Sequence, residues 1–156
     1  MIQIEKLDSS HLEALKQVHL ADDQIKFAGT VDAFLLDASE TMHLHVIKYH
    51  GEVVGYFKLD TTYSQQYSFC PSNALGLRAF ALGLNCQGKG IGTGAVKALF
   101  PYLKQFYSDF SAIYLTVNCQ NPGAKRCYLK GGFDDTEALY LGGPAGPQYI
   151  MSKILR

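Results

Sequence analysis

Residues 85–96 read NCQGKGIGTGAV, with glycine at every second position from Gly88 through Gly90 and Gly92 to Gly94. A glycine inside a helix costs about 1 kcal/mol relative to alanine, so this density needs a cause. The run ALGLRAFALGL (residues 74–84) precedes it and reads as a strand. Ile91, Ala95, Val96, Leu99 and Phe100 follow at helical spacing. The glycines therefore join a strand to the start of a helix. A helix start presents N–H groups without intrahelical partners and the positive end of the helix dipole. It is a ready anion site, and glycine lets a phosphate reach the backbone.

Working outward, residues 1–7 alternate Ile2 and Ile4 with polar neighbours and predict a strand. Asp8-Ser9-Ser10 caps a helix carrying Leu12, Leu15, Val18 and His19. Residues 21–38 hold short helical pieces anchored by Ile25, Phe27, Phe34, Leu35 and Leu36. HLHVIKY (43–49) and EVVGYFKL (52–59) flank His50-Gly51, a hairpin with a tight turn. Residues 61–73 form a longer Tyr/Ser-rich loop. Pro101 should kink the helix after the glycines or begin a separate turn. SAIYLTV (111–117) is a further strand. Asn121-Pro122 opens a helix, with Asn as N-cap and Pro at the first turn, and Gly131-Gly132 closes it. Residues 133–141 and 148–155 are the last strands. The order β-α-α-β-β-β-α-β-α-β-β predicts an α/β (α+β) fold in one domain, residues 1–156, around a single mixed sheet.

A chain of 156 residues, 47% hydrophobic, has material for one core. Fourteen basic residues balance fourteen acidic ones, so charge gives no reason to expect a nucleic acid or a membrane surface as partner. MIQIEKLDSS lacks the pattern of a signal peptide, and no apolar run approaches the roughly 20 residues of a membrane span. Cys70, Cys86, Cys119 and Cys127 contain no CxxC pair; they read as reduced thiols in a cytoplasmic protein without a metal knuckle. His43 and His45 share a strand face but lack a third ligand, and read as surface or half-buried residues.

Three phosphate-loop patterns overlap on the glycines. GxxxxGK matches residues 83–89, but Gly90 stands where a P-loop needs Ser or Thr for Mg²⁺. GxGxxA matches residues 90–95, but no acid follows the next strand to hold a ribose. Q-x-x-G-x-G matches Gln87 to Gly92. A second pattern, N-x-x-A-x-x-x-Y-x-x-x-G-F, fits Asn121, Ala124, Tyr128, Gly132 and Phe133. The two motifs, their separation by one helix and one strand, and the element order along nearly the whole chain resemble the GNAT family, the GCN5-related N-acetyltransferases.

The resemblance implies a mostly antiparallel sheet with helices on both faces and a central parallel strand pair that splays apart. It implies acetyl-CoA as co-substrate and no metal. The loop of Gln87, Gly88, Lys89, Gly90, Ile91, Gly92 and Thr93 would hold the pyrophosphate, and Phe80, Ala81 and Leu82 the pantetheine arm, with Asn121 touching that arm. The N–H of Leu82 would face the thioester oxygen as negative charge grows there. Tyr128, seven residues and two helical turns after Asn121, would protonate the leaving thiolate. Each also has a plain structural reading: Asn121 as an N-cap, Leu82 as a core leucine and Tyr128 as a packing ring, although its place in the motif favours the acid. Thr116 stands where N-terminal acetyltransferases of the family often carry a Glu base, so the base is unassigned.

The acceptor site should involve residues 21–38 and 141–149. Asp22, Asp23, Asp32, Asp37 and Glu40 give the first of these a local acidity that would attract a cationic amine, or else simply cap helices and face water. Asp23-Gln24-Ile25-Lys26-Phe27 is loosely similar to bacterial polyamine acetyltransferases, which makes a small polyamine-like amine the leading acceptor. Aminoglycosides, amino acids, and a protein lysine or N-terminus stay open, as do a homodimer and a non-catalytic acetyl-CoA-binding module.

Overall fold

The computed structural model describes residues 1–86 and 88–155, without the side chain of Asp23. Seven strands form one sheet in the order β1-β2-β3-β4-β5-β7-β6. They are β1 (Ile2–Lys6), β2 (Met42–Tyr49), β3 (Glu52–Asp60), β4 (Ala74–Leu82), β5 (Ala112–Asn118), β6 (Asp134–Tyr140) and β7 (Gln148–Ile154). Every neighbouring pair is antiparallel except β4 and β5. The β2–β3 hairpin closes on His50 and Gly51, both at positive φ, as the sequence predicts.

Helices α5 (Ile91–Phe106) and α6 (Pro122–Gly131) cover one face. Ile91, Ala95, Val96, Leu99 and Leu103 of α5 pack there with Leu75, Leu77, Ile113, Leu115 and Val117 of the central strands. The other face carries α1 (Leu12–Leu15), α2 (Asp22–Ala28), α3 (Val31–Leu36) and α4 (Tyr63–Gln66). Leu15 and Phe34 meet Val46, Tyr56 and Ala81 on that side. Tyr63 packs against Gly76, where an added Cβ would lie 2.0 Å from the ring. Among the described residues no helix is long and apolar enough to cross a membrane.

Two local expectations need correction. Pro101 lies inside α5, which continues to Phe106 and begins no separate turn. The later turns are anchored by Leu103, fully buried, and by the Tyr102 hydroxyl, 2.8 Å from His45 Nε2. Tertiary contacts there outweigh the missing proline N–H. His45 is not a surface residue either. It is fully buried, stacked on Phe57, and its imidazole is pushed down to about 4 by burial. His43 lies 2.6 Å from the Tyr107 hydroxyl. Both histidines tie β2 to the end of α5.

The feature that positions the site is the meeting of β4 and β5. They pair only at Ala74–Ala112, Leu75–Ile113 and Gly76–Tyr114. Beyond Gly76 the two strands part. On its other edge β4 shifts register: Arg78 faces Lys58, yet Ala81 faces Tyr56. Ala79 and Phe80 thus oppose the single residue Phe57, which is a β-bulge. Ala79 takes φ 54, a left-handed conformation that costs a non-glycine residue about 1–2 kcal/mol.

Candidate active site

A cavity of about 680 Å³ lies at the parted strands. Phe80 and Leu82 come from β4, Gly90, Gly92 and Thr93 from the start of α5, and Asn121, Arg126 and Tyr128 from α6 and its cap. Ala21, Gln24, Phe27 and Ala28 add one side of α2.

The glycines divide into two kinds. Gly88 and Gly90 have φ +73 and +76, and an added Cβ at either would meet nothing within 4 Å. They serve the turn. Gly92 and Gly94 serve packing: an added Cβ would lie 3.0 Å from Cys127 Sγ and 3.2 Å from Leu82 Cδ1 at Gly92, and 2.5 Å from Ile2 Cδ1 at Gly94. So only the first pair matches the reading of glycine as access to the backbone. The N-cap of α5 is Gly90 itself, with no side-chain cap, and the N–H groups of the first turn are those that helix geometry leaves without intrahelical acceptors.

Asn121 caps α6, its Oδ1 accepting from the Ala124 N–H at 3.3 Å. That cap sets the first turn of α6, and Tyr128 follows two turns on. The Tyr128 ring is buried edge-to-face between Phe80 and Phe133, at 5.8 and 5.7 Å. Burial pushes its phenol far above the ordinary value near 10, so the hydroxyl keeps its proton throughout the neutral range. Burial also raises the adjacent Cys127 thiol, which leaves it a poor nucleophile.

Of the residues the sequence singles out, Phe80, Leu82, Gly88, Gly90, Gly92, Thr93, Asn121 and Tyr128 are brought together around the cavity. The side chain of Ile91 is instead in the core beneath α5, and that of Ala81 is in the core on the opposite face of the sheet. Any role they have belongs to their backbone. Lys89 is exposed and outside the cavity wall. Gln87 lies outside the described residues.

Sequence reasoning missed Arg126 and Lys130. They stand one turn apart on α6, and both line the cavity. Their neighbour Lys125 is committed to Asp135 at 2.9 Å and to the Tyr149 ring at 3.6 Å. Among the described residues, neither Arg126 nor Lys130 has an ion-pair partner. The i, i+4 spacing of two cations behind the Asn121 cap was a signal available in the sequence.

The acids of residues 21–40 are not gathered here. Asp37 pairs with Lys58, Asp32 borders a separate depression beside Lys16 and His19, and Asp22 is exposed. The Asp23 side chain lies outside the described residues. Among the described residues, no Asp, Glu or His lines the cavity. The Thr116 side chain faces the Tyr63 hydroxyl, away from α6.

The acetyltransferase (GNAT) family model matches residues 4–133. A spermine/spermidine N(1)-acetyltransferase of Bacillus subtilis (strain 168) is 26% identical over 146 residues, 91% of this chain and 93% of that protein. An aminoglycoside acetyltransferase solved with coenzyme A and kanamycin has a TM-score of 0.78 at 21% identity, covering 99% of this chain and 95% of that one. A spermidine N-acetyltransferase from Vibrio cholerae, solved with CoA and spermine, has a TM-score of 0.69 at 14% identity over 99% and 95% of the two chains. The parted β4–β5 pair is the feature that the family resemblance implies, and the family match runs from Ile4 in the first strand to Phe133, just beyond α6: the chain belongs to the GNAT family of acetyltransferases.

Proposed function

We propose that this protein transfers the acetyl group of acetyl-CoA to a primary amine of a small, cationic acceptor of the polyamine or aminoglycoside kind. One observation carries the reading. The cavity at the parted strands joins a glycine-built helix start, suited to a pyrophosphate, to a buried, protonated phenol. The relatives that act on spermine and spermidine, and the similar fold solved with kanamycin, supply the acceptor class.

The residues present fit acetyl-CoA, which supplies the activated acetyl group. The first-turn N–H groups of α5 hold the pyrophosphate. Arg126 and Lys130, free of carboxylates among the described residues, neutralise further phosphate charge. The β4 segment 80–82 orders the pantetheine arm, and the Leu82 N–H stabilises charge developing on the thioester oxygen. As the C–N bond forms and the C–S bond breaks, Tyr128 gives its proton to the departing sulfur. The acylated nitrogen loses one proton, which restores the phenol directly or through solvent. With no acid or histidine along the cavity wall among the described residues, the acceptor reacts in its neutral amine form. The four free cysteines support a cytoplasmic setting.

The test is direct. The protein is incubated with acetyl-CoA and, separately, spermine, spermidine, kanamycin and a lysine peptide. Free thiol is followed, and products are weighed by mass spectrometry. Release of thiol with a mono-acetylated polyamine or aminoglycoside is expected. Thiol release with the peptide alone would overturn the acceptor class, and none with any amine would overturn the transferase reading.

A further inference from the structure

Asn118 ends β5, is 7% exposed, and does not line the cavity at the parted strands. Both ends of its amide are used. Oδ1 accepts from the Gln120 N–H at 2.8 Å, an Asx turn, and Nδ2 donates to the Ala145 carbonyl at 2.9 Å. These partners fix which way the amide points, because the flipped group would set N–H against N–H and oxygen against oxygen. The backbone beside it is held as well. The Asn118 carbonyl accepts from the Asn121 N–H at 2.9 Å, and the Cys119 N–H donates to the Pro147 carbonyl at 3.0 Å.

What this amide holds is the cavity wall. Gln120 and Asn121, in the turn between β5 and α6, line the cavity, as do Pro122, Gly123 and Ala124 at the start of α6. Asn121 caps that helix, which carries Tyr128. Gln120 also reaches α2, its Oε1 accepting from Lys26 Nζ at 3.5 Å. On its other side Asn118 meets residues 141–147, a glycine- and proline-rich segment between β6 and β7 that forms neither helix nor strand. We propose that Asn118 is a positioning residue of the transferase: its Oδ1, aimed by the bond from Nδ2 to Ala145, holds the 119–121 turn, and with it the cavity wall and the start of α6, in place while the thioester is attacked. Standing outside the wall, it acts on the chemistry through Asn121 and α6, which set where the Tyr128 hydroxyl lies. A pairing that is fully satisfied and buried is rigid, which suits such a role. This inference rests on the acetyltransferase reading above.

The test uses the full chain, spermine and kanamycin as acceptor probes, and the variants Asn118→Ala, Asn118→Leu and Asn118→Asp. Melting curves identify the folded variants, and the two apolar replacements guard against one failing to fold. Each apolar variant releases the Gln120 N–H. At saturating acetyl-CoA its kcat should fall about 10-fold or more, because a misplacement on the order of 1 Å can cost ~10²-fold. The acetyl-CoA Kd from calorimetry should weaken several-fold, and the acceptor KM should change less than kcat. In Asn118→Asp either carboxylate oxygen can take the Gln120 N–H, while the bond to the Ala145 carbonyl is lost. That variant should recover most of kcat although its Tm stays low. Apolar variants that melt earlier but bind acetyl-CoA and turn over like the wild type would make Asn118 a residue of the fold alone and overturn the proposal. So would an Asp variant as slow as the apolar ones, since the turn contact would then not carry the effect; both results leave the transferase reading standing. A wild type that acetylates neither probe nor any other amine would overturn both.

Discussion

Asp60 and Tyr128 are both buried polar side chains beside β4, and their surroundings differ. Asp60, fully buried at the end of β3, accepts from the Thr62 N–H (2.9 Å), the Thr62 hydroxyl (3.1 Å), Gln66 Nε2 (3.2 Å) and Arg78 Nε (2.9 Å). Arg78 in turn lies over the rings of Tyr63 and Tyr67, at 4.9 and 5.2 Å, and reaches Gln66 Oε1 at 3.0 Å. The carboxylate's lone pairs are taken, so Asp60 is no candidate base. Around Tyr128 the pattern is the reverse. Arg126 and Lys130 line the same cavity and have no carboxylate partner among the described residues. The first network is closed on itself and holds the fold. On the function proposed above, the second is completed by the phosphates of acetyl-CoA. Buried polar groups are normally satisfied, and the Asp60 network meets that rule, whereas Arg126 and Lys130 are exposed to solvent.

That contrast breaks if the closed network can be opened cheaply. Arg78→Leu leaves the Asp60 carboxylate buried and unpaired, and should cost about 3–5 kcal/mol of stability in a urea melt. The acetyl-CoA affinity of the protein that remains folded should change little. A loss of acetyl-CoA binding at full stability would place Arg78 in the site instead.

Tyr128→Phe should do the opposite. It keeps the ring between Phe80 and Phe133 and removes only the hydroxyl, so stability and acetyl-CoA affinity should hold while kcat falls about 10²-fold. The pH profile sharpens this. Because burial raises the phenol, Tyr128 stays protonated up to and beyond its ordinary value near 10, so kcat/KM should show no descending limb below about pH 10. It should instead rise with pH as the acceptor ammonium, with an ordinary value near 10, loses its proton. A plateau reached at pH 6–7 in kcat/KM would reveal a protein base that the cavity wall does not display.

The glycines offer a third test within the site itself. Gly90→Ala strains a left-handed turn by about 1–2 kcal/mol and should shift the N–H groups proposed to hold the pyrophosphate, so acetyl-CoA affinity should fall about 10-fold. Gly92→Ala meets Cys127 and Leu82 instead, so its first effect should be a lower Tm, partly restored by Cys127→Ala. If both variants lose affinity equally without loss of stability, the division between turn glycines and packing glycines is wrong.

The smallest effect concerns the exposed cations. Arg126→Gln with Lys130→Gln should weaken CoA several-fold, because each exposed ionic contact is worth at most about 1 kcal/mol. If the pair holds the 3′-phosphate, the loss should vanish with 3′-dephospho-CoA and shrink in high salt. An equal loss for both ligands would move the pair to the pyrophosphate.

The parts legible in the sequence were those made by local chemistry. Asn121 and Pro122 announce a helix start, His50-Gly51 a hairpin, and alternating glycines a tight entry into α5. Tyr128 is singled out by its place in the motif that resembles the GNAT family. What stayed hidden depends on residues far apart in the chain. Gln24 reaches the cavity only because α2 folds over β4, a strand some 50 residues further on. Asp60 and Arg78 meet because β3 and β4 pair, and the fully buried His45 meets the Tyr102 hydroxyl from α5, 57 residues away. Pro101 shows the same limit from the other side. Its local cost is real, yet distant contacts at Tyr102 and Leu103 carry the helix past it.

A crystal structure of the protein with CoA decides whether the parted strands hold the donor. The pyrophosphate is expected on the N–H groups that open α5, next to Gly90, and the sulfur within hydrogen-bond distance of the Tyr128 hydroxyl. CoA bound away from the parted strands, or a sulfur out of reach of Tyr128, would contradict that expectation.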